Sequence, residues 1–355
     1  MSGEQAGPSG PLTGELGAPP TRAQGADAPF LFAVGCVRSG TTMLRAMLDS
    51  HADVAVPPES YFVAPALHRA AQYSANGQFD LDRLLADVTS DDSFGDWHLS
   101  SDALDAVRHD PRPATVPEAI ARLYAAYART RAKPLVADRT PSNVLEIELL
   151  AQCFPTSRFV HLVRDGRDVV PSLVTMDFGP DDFASAALFW QARVRQGRAA
   201  GARLGPDRYL EIRYEDLVAD PDPVLRGLCA FVGIEFDPAM LEYHRRADEL
   251  IDSLRRPGHV QGVRRPPTPG LRDWRTTMTP RDVMLFEALA GEMLDTFGYE
   301  RSGLVTSVRV RVEAAAHRAR RTVAARARTL RTRVGRRMAS SATPGDSSDP
   351  ERGGD

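Results

Sequence analysis

Cysteine is scarce in this sequence. Cys36, Cys153 and Cys229 are the only three in 355 residues, widely spaced, odd in number and set in apolar runs. They read as buried thiols of a reducing compartment, which excludes a disulfide framework or a cysteine-built zinc centre. No run of about 18 apolar residues occurs either, so no helical membrane span is expected. Met1 to Ala28 is rich in Gly, Pro, Ala and Ser and has no apolar stretch, unlike a secretory leader; disorder is expected there. With leader and span both missing, the cytoplasm is the expected compartment.

Net charge is small, −3, but unevenly spread. From Arg309 to Arg337, eleven arginines face one acid, Glu313, a surplus of ten. Residues 1–308 carry −10 and the last stretch, from Met338, carries −3. An acidic body of one large or two small domains is therefore followed by a basic tail. The expected layout is a disordered segment over 1–28, a catalytic domain over 29–303 and a tail over 304–355 ending in a disordered polar terminus. That tail repeats Ala and Arg without a clean apolar stripe. A solvated helix, a nucleic-acid contact and a membrane-surface contact all remain open, and a solvated or disordered extension is favoured.

The chain is organised around residues 30–48. Phe30 to Val34 is an apolar run long enough for one buried strand. From Thr41 the pattern changes: Met43, Leu44, Met47 and Leu48 recur on one side of a helix. Between them Gly35-Cys36-Val37-Arg38-Ser39-Gly40-Thr41-Thr42 delivers backbone amides to a helix N-terminus, an anion site. Gly35 and Gly40 have the spacing of a nucleotide phosphate loop, but Thr41 stands where the lysine would be, and the cation lies upstream at Arg38. A nucleoside triphosphatase uses that lysine on the β- and γ-phosphates. This loop is expected to hold a compact anion with no required metal.

Gly-x-x-Arg-Ser-Gly-Thr-Thr resembles the 5′-phosphosulfate loop of sulfotransferases that use 3′-phosphoadenosine 5′-phosphosulfate (PAPS). It is most similar to the bacterial and tyrosylprotein branch. The resemblance runs over about residues 30–300 and implies an α/β fold, a phosphate-loop-type central sheet, mostly parallel, with helices on both faces. It also implies roles for particular residues. Arg38, Ser39, Gly40, Thr41 and Thr42 would hold the phosphosulfate. Glu59 follows a short strand over 51–56 and Pro57-Pro58. Pro-Pro-Glu-Ser resembles the segment that carries the general base in tyrosylprotein sulfotransferases. Arg139 ends the strand Pro134–Asp138 where the family has a sulfuryl-contacting lysine; its planar fork is not a point cation. Arg164 and Ser172, eight apart, match the 3′-phosphate motif, and an expected cap at Asp168 starts the intervening helix. Tyr214, in Tyr-Glu-Asp-Leu, resembles the family's nucleotide-contacting tyrosine. Arg272 is the nearest match to a basic residue that closes over the nucleotide, since Asp273 precedes Trp274.

Elsewhere the sequence carries less chemistry. Residues 63–132 read as mostly helical, with Val116, Ile120, Leu123, Tyr124 and Tyr127 as a core stripe. A long helix is expected over Asp181–Leu204, one helix over Glu215–Gly233, another over Pro280–Phe297, and a basic turn-rich loop from Arg255 to Pro267. The resemblance implies an acceptor hydroxyl, and a small molecule, carbohydrate, lipid or peptide tyrosine all remain open as its carrier. His51 or a residue of 63–132 would be the base if Glu59 is not. The rival enzyme, a phosphate-loop kinase or nucleoside triphosphatase, lacks its lysine and has no Asp ending the Phe159–Val163 strand. The non-enzyme rival is a nucleotide-binding protein that contacts nucleic acid or membrane through the tail.

Overall fold

The computed structural model describes residues 31–323 apart from 76, 110–111, 178 and 253–260. Residues 1–28, the Arg255–Arg256 start of the basic loop and the tail beyond 323 lie outside the described residues. Two compact units divide the chain, residues 1–164 with 193–271 and residues 165–192 with 272–355.

The first unit is built on five parallel strands: β1 (Leu31–Gly35), β2 (Val54–Ala55), β5 (Leu135–Asp138), β6 (Arg158–Val163) and β7 (Tyr209–Arg213). Their order is β2-β5-β1-β6-β7, with Leu31 opposite Arg158 and Gly35 opposite Leu162. Successive side chains of a strand point to opposite faces, and here both faces are covered. Phe32, Val34 and Phe159 enter one core with Ile120, Leu123 and Leu150. Leu31, Ala33, Val160 and Leu162 enter the other with Leu44, Met47 and Leu225. This is why the strands read as unbroken apolar runs.

One face is covered by α2 (Val63–His68), α3 (Leu81–Thr89), α4 (Ser101–His109), α5 (Val116–Thr130) and α6 (Ile147–Cys153). A small hairpin, β3 (Ser74–Ala75) with β4 (Gln78–Phe79), interrupts this mostly helical stretch. Thr115 caps α5 through Glu118 N–H, and the expected apolar stripe of that helix is buried. The other face is covered by α1 (Thr41–Ser50) with α9 (Tyr214–Ala219), α10 (Pro221–Val232) and α11 (Ala247–Asp252). The single helix expected over 215–233 is thus two, because Pro221 cannot continue α9 and instead starts α10.

The second unit contains α7 (Gly166–Leu173), the start of α8 (Phe183–Leu204), α12 (Trp274–Thr277) and α13 (Pro280–Thr296). The cap of α7 is Asp165, which accepts from Arg167 N–H at 2.9 Å, and not the expected Asp168. Asp168 lies inside the first turn and accepts from Trp274 N–H at 2.8 Å. Arg167 is buried, bonded to Asp165, Glu287 (2.9 Å) and the Glu300 carbonyl (2.8 Å), and lies over the Trp274 ring. A buried charge needs such partners.

Expected to be a solvated or disordered extension, the tail is helical over 308–323 and partly packed. Val310 and Ala314 are buried, Glu313 pairs with Arg281, and Arg318 donates to the Leu289 carbonyl at 3.2 Å. Two small residues four apart are enough to seat a helix on its neighbour, but too few to stand out in so basic a composition. No helix among the described residues is long and apolar enough to cross a membrane.

Candidate active site

The loop after β1 is shaped by glycines and one strained arginine. A Cβ at Gly35 would lie 2.6 Å from the Leu162 carbonyl oxygen, so only glycine lets β1 run beside β6 here. Arg38 (φ 72°) and Gly40 (φ 94°) both lie in the left-handed region, and for arginine that conformation is a cost that a functional loop tolerates. No side chain caps α1, so its first amides point outward beside the positive end of the helix dipole. Ser39 Oγ is buried with no hydrogen-bond partner. An orphan hydroxyl and open amides in one turn are the polar lining that an oxyanion needs. Cys36 plays no such part, because full burial pushes its thiol up to about 12.

Gly40 also presses on the ring of Tyr214, where a Cβ would come within 2.4 Å of the aromatic carbons. The Arg164 guanidinium lies 4.2 Å from the centroid of that same ring. Tyr214 therefore links the loop after β1 to Arg164, the cation that follows β6.

Glu59 and Arg139 meet directly. Arg139 donates a short hydrogen bond to Glu59 Oε1, and the Tyr61 hydroxyl donates to Oε2 at 2.8 Å. Arg139 is buried and Glu59 half-buried, and the Arg139 Nε has no partner of its own.

The segment carrying Glu59 is gripped on both sides. Upstream, two α1 residues one turn apart hold the backbone of Val56: Asp49 Oδ1 accepts from its N–H at 2.9 Å and Arg45 Nε donates to its carbonyl at 3.2 Å. Downstream, Ser60 N–H donates to Thr140 Oγ1 at 2.8 Å, and its hydroxyl donates to Asp138. Asp138 is a fully buried hub that also accepts from the Tyr124 hydroxyl (2.6 Å), Thr140 N–H (3.0 Å) and Asn143 Nδ2 (3.0 Å). Burial pushes its carboxyl up, while the hydrogen bonds from Ser60, Tyr124 and Thr140 pull it back. Arg45 is itself buried, with Nη1 unpartnered; burial, then the Arg139 charge, brings it down to about 10.

These groups share one topological address. The loop follows β1, Glu59 follows β2, Arg139 follows β5, Arg164 follows β6 and Tyr214 follows β7. All sit at the carboxyl ends of parallel strands, and the connections from β1 and β6 leave in opposite directions, the topological switch point at which sheets of this kind bind ligands. A model of the sulfotransferase family matches residues 29–238.

The chain belongs to the sulfotransferase family. It is similar to protein-tyrosine sulfotransferase 1 of Danio rerio, with 24% identity over 77% of this chain and 73% of that one. It is also similar to protein-tyrosine sulfotransferase 2 of Gallus gallus, with 26% identity over 66% of this chain and 57% of that one. Among solved structures, the sulfotransferase domain of the Synechococcus PCC 7002 olefin synthase matches with a TM-score of 0.54 and 24% identity. That match covers 81% of this chain and 99% of that domain, and it carries the fold. The protein is thus an enzyme of sulfuryl transfer, with the mostly parallel α/β sheet expected of it.

Within this sulfotransferase, the first unit brings Arg38, Ser39, Gly40, Thr41, Thr42, Glu59, Arg139, Arg164 and Tyr214 to the strand ends. Ser172, on α7, and the exposed Arg272 belong to the second unit. Asp273 caps α12 by accepting from Arg275 N–H at 2.9 Å. His51 is committed elsewhere: Nε2 bonds the Glu235 carbonyl at 2.8 Å and Nδ1 accepts from Asp53 N–H at 3.0 Å. Sequence reasoning missed the supports, namely Arg45, Asp49, Tyr61, Asp138 and Tyr124. The available signals were two charges four apart on an apolar helix, and an acid closing an apolar strand.

Proposed function

We propose that the sulfuryl donor is PAPS, that the acceptor is a hydroxyl, and that Glu59 takes the acceptor's proton. The observation that carries this reading is the Glu59–Arg139 ion pair, at strand ends of the same sheet whose β1 leads into the anion loop. The residues fit an anionic donor: Ser39 Oγ and Arg139 Nε are buried polar atoms with no partner, and the amides at the start of α1 are uncapped. The donor supplies an activated sulfuryl group whose leaving bisphosphate oxygen gains charge as the bond breaks.

Glu59 is the proton acceptor, held toward the site by Arg139 and Tyr61. Arg38, Thr41, Thr42 and the loop amides hold the phosphosulfate and stabilise the developing charge, and Arg139 adds its cation beside Glu59. Arg164 and Tyr214 take the nucleotide end; Ser172 and Arg272 are assigned to it by sequence spacing alone. In this reading Thr41 stands where a nucleoside triphosphatase has its lysine, and Arg38 and Arg139 supply the cationic charge in place of a bridging metal. The relatives named as protein-tyrosine sulfotransferases make peptide tyrosine the first acceptor to try. A reducing, cytoplasmic setting belongs to the same reading, supported by three cysteines that remain free thiols.

The test is to incubate the full chain with PAPS and a panel of tyrosyl peptides, carbohydrates, glycolipids and phenols. Adenosine 3′,5′-bisphosphate and sulfated product are then followed by mass spectrometry, with and without a metal chelator. Product formation that ignores the chelator is expected. Hydrolysis of ATP that requires Mg²⁺ overturns the reading.

A further inference from the structure

The helix over 308–323 has a second face that the fold does not use. Its inner face is seated through Val310 and Ala314, with Arg318 reaching the Leu289 carbonyl. At 100° per residue, Val308, Val312, Ala319 and Val323 fall within about 60° of one another on the opposite side. All four are exposed, the valines by 75%, 65% and 67%. Of seven large exposed apolar residues among the described residues, five lie between Leu304 and Val323. Such concentration marks an interaction surface more than chance exposure.

Arginines rim this stripe. Arg309 and Arg320 flank one side and Arg311 the other, and the sequence continues with six more arginines from Arg326 to Arg337. We propose that this helix docks the enzyme onto an anionic lipid surface, with the valines entering the headgroup boundary and the arginine rims meeting lipid phosphates. Three features select that occupant. A second copy of the helix would set arginine rim against arginine rim. A nucleic acid would use the rims but leave the valine stripe without a partner. The rest of the chain up to residue 308 carries −10, so it offers an anionic surface no net attraction, and the positive charge is concentrated from Arg309 onward.

The test uses the full chain in vesicle flotation, comparing phosphatidylcholine alone with phosphatidylcholine in which a third of the lipid is phosphatidylglycerol. Wild type is expected to float with the anionic vesicles only, and less so as salt rises. The exposed pair Val308→Ser and Val312→Ser should lower partition on the order of tenfold with unchanged circular dichroism and melting temperature. Arg309→Gln and Arg320→Gln should each lower it roughly fivefold. Failure of wild type to float, or flotation that the valine pair does not change, overturns the proposal. So does duplex DNA binding that competes with vesicles and ignores the valines, which assigns the surface to nucleic acid. A dimer abolished by the valine pair overturns it too, in favour of a second copy.

Discussion

Arg139 and Glu59, which follow different strands of one sheet, are bonded to each other through Nη1 and Oε1. The cation expected to face the sulfuryl group thus also orients the carboxylate expected to take the proton. The pairing couples the two roles, so substitutions at the two positions should not act independently.

Glu59→Gln keeps shape and hydrogen bonding but removes the proton acceptor. Turnover should fall about 10²–10⁴-fold while donor affinity changes little, because Glu59 is not among the groups assigned to the donor's anions. Steady-state kinetics and donor titration on one folded preparation measure both. Near-wild-type turnover would falsify the assignment, and His51 could not replace it, since both its ring nitrogens are already bonded.

At Arg139 the prediction separates charge from geometry. Arg139→Met should cost at least about 100-fold in turnover, as loss of a charge-stabilising donor does. Arg139→Lys, which keeps the charge without the planar fork, should recover to within about tenfold. Equal damage by both would show that the fork holding Glu59 matters more than the cation.

Adenosine 3′,5′-bisphosphate should raise the melting temperature more than ADP or ATP at equal concentration. At a hundredfold over its Kd the linkage amounts to about 2.7 kcal/mol. Arg164→Ala should abolish the preference and also free the Tyr214 ring it stacks on. A shift that is equal for ATP argues for a nucleotide triphosphate site.

His161 predicts a pH dependence of stability. Its buried ring donates from Nδ1 to the Tyr209 hydroxyl (2.6 Å), which donates on to Glu211 (3.0 Å). Burial, then the Arg198 charge, lowers it from 6.5 to about 3, so the unfolded chain binds the extra proton between those values. Its contribution is complete above pH 6.5 and is lost as pH falls toward 3. Wild type should lose about 2 kcal/mol more than His161→Gln between pH 7 and 5 in urea unfolding. Parallel losses would mean that His161 does not titrate on unfolding.

Truncation should distinguish the seated part of the tail from the rest. Ending the chain after Val323 should leave turnover of a small soluble acceptor and melting temperature unchanged. Ending it after Gly303 should lower the melting temperature, because burial of Val310 and Ala314 and the Glu313–Arg281 pair are lost. A melting temperature indifferent to the second cut would mean that the helix adds nothing to the second unit.

Much of the site was legible because its chemistry is local. Arg38 to Thr42 lie within five residues at a strand–helix junction, and Tyr214 opens a helix directly after β7. The supports were not legible because they are contacts between distant residues. Ser60 reaches Asp138 across 78 positions, and Tyr124 looked like one more apolar residue of its helix stripe until its hydroxyl was seen on Asp138. The cap of α7 was misplaced by three residues, since Asp165 and Asp168 are equally good caps in sequence and only the backbone shows where the helix begins.

The sequence by itself determined the parallel sheet, the strand–glycine turn–helix form of residues 31–50 and the family, because apolar runs, glycine spacing and a helix start are short-range patterns that dictate backbone form. Tertiary structure alone decided that Glu59 lies against Arg139, that Arg45 and Asp49 grip Val56, and that part of the arginine-rich tail is seated on α13. Those outcomes depend on which residues the fold brings within a few ångströms after the strands have ordered as β2-β5-β1-β6-β7. Hydrogen bonds and ion pairs act only at that range, and sequence distance carries no measure of it.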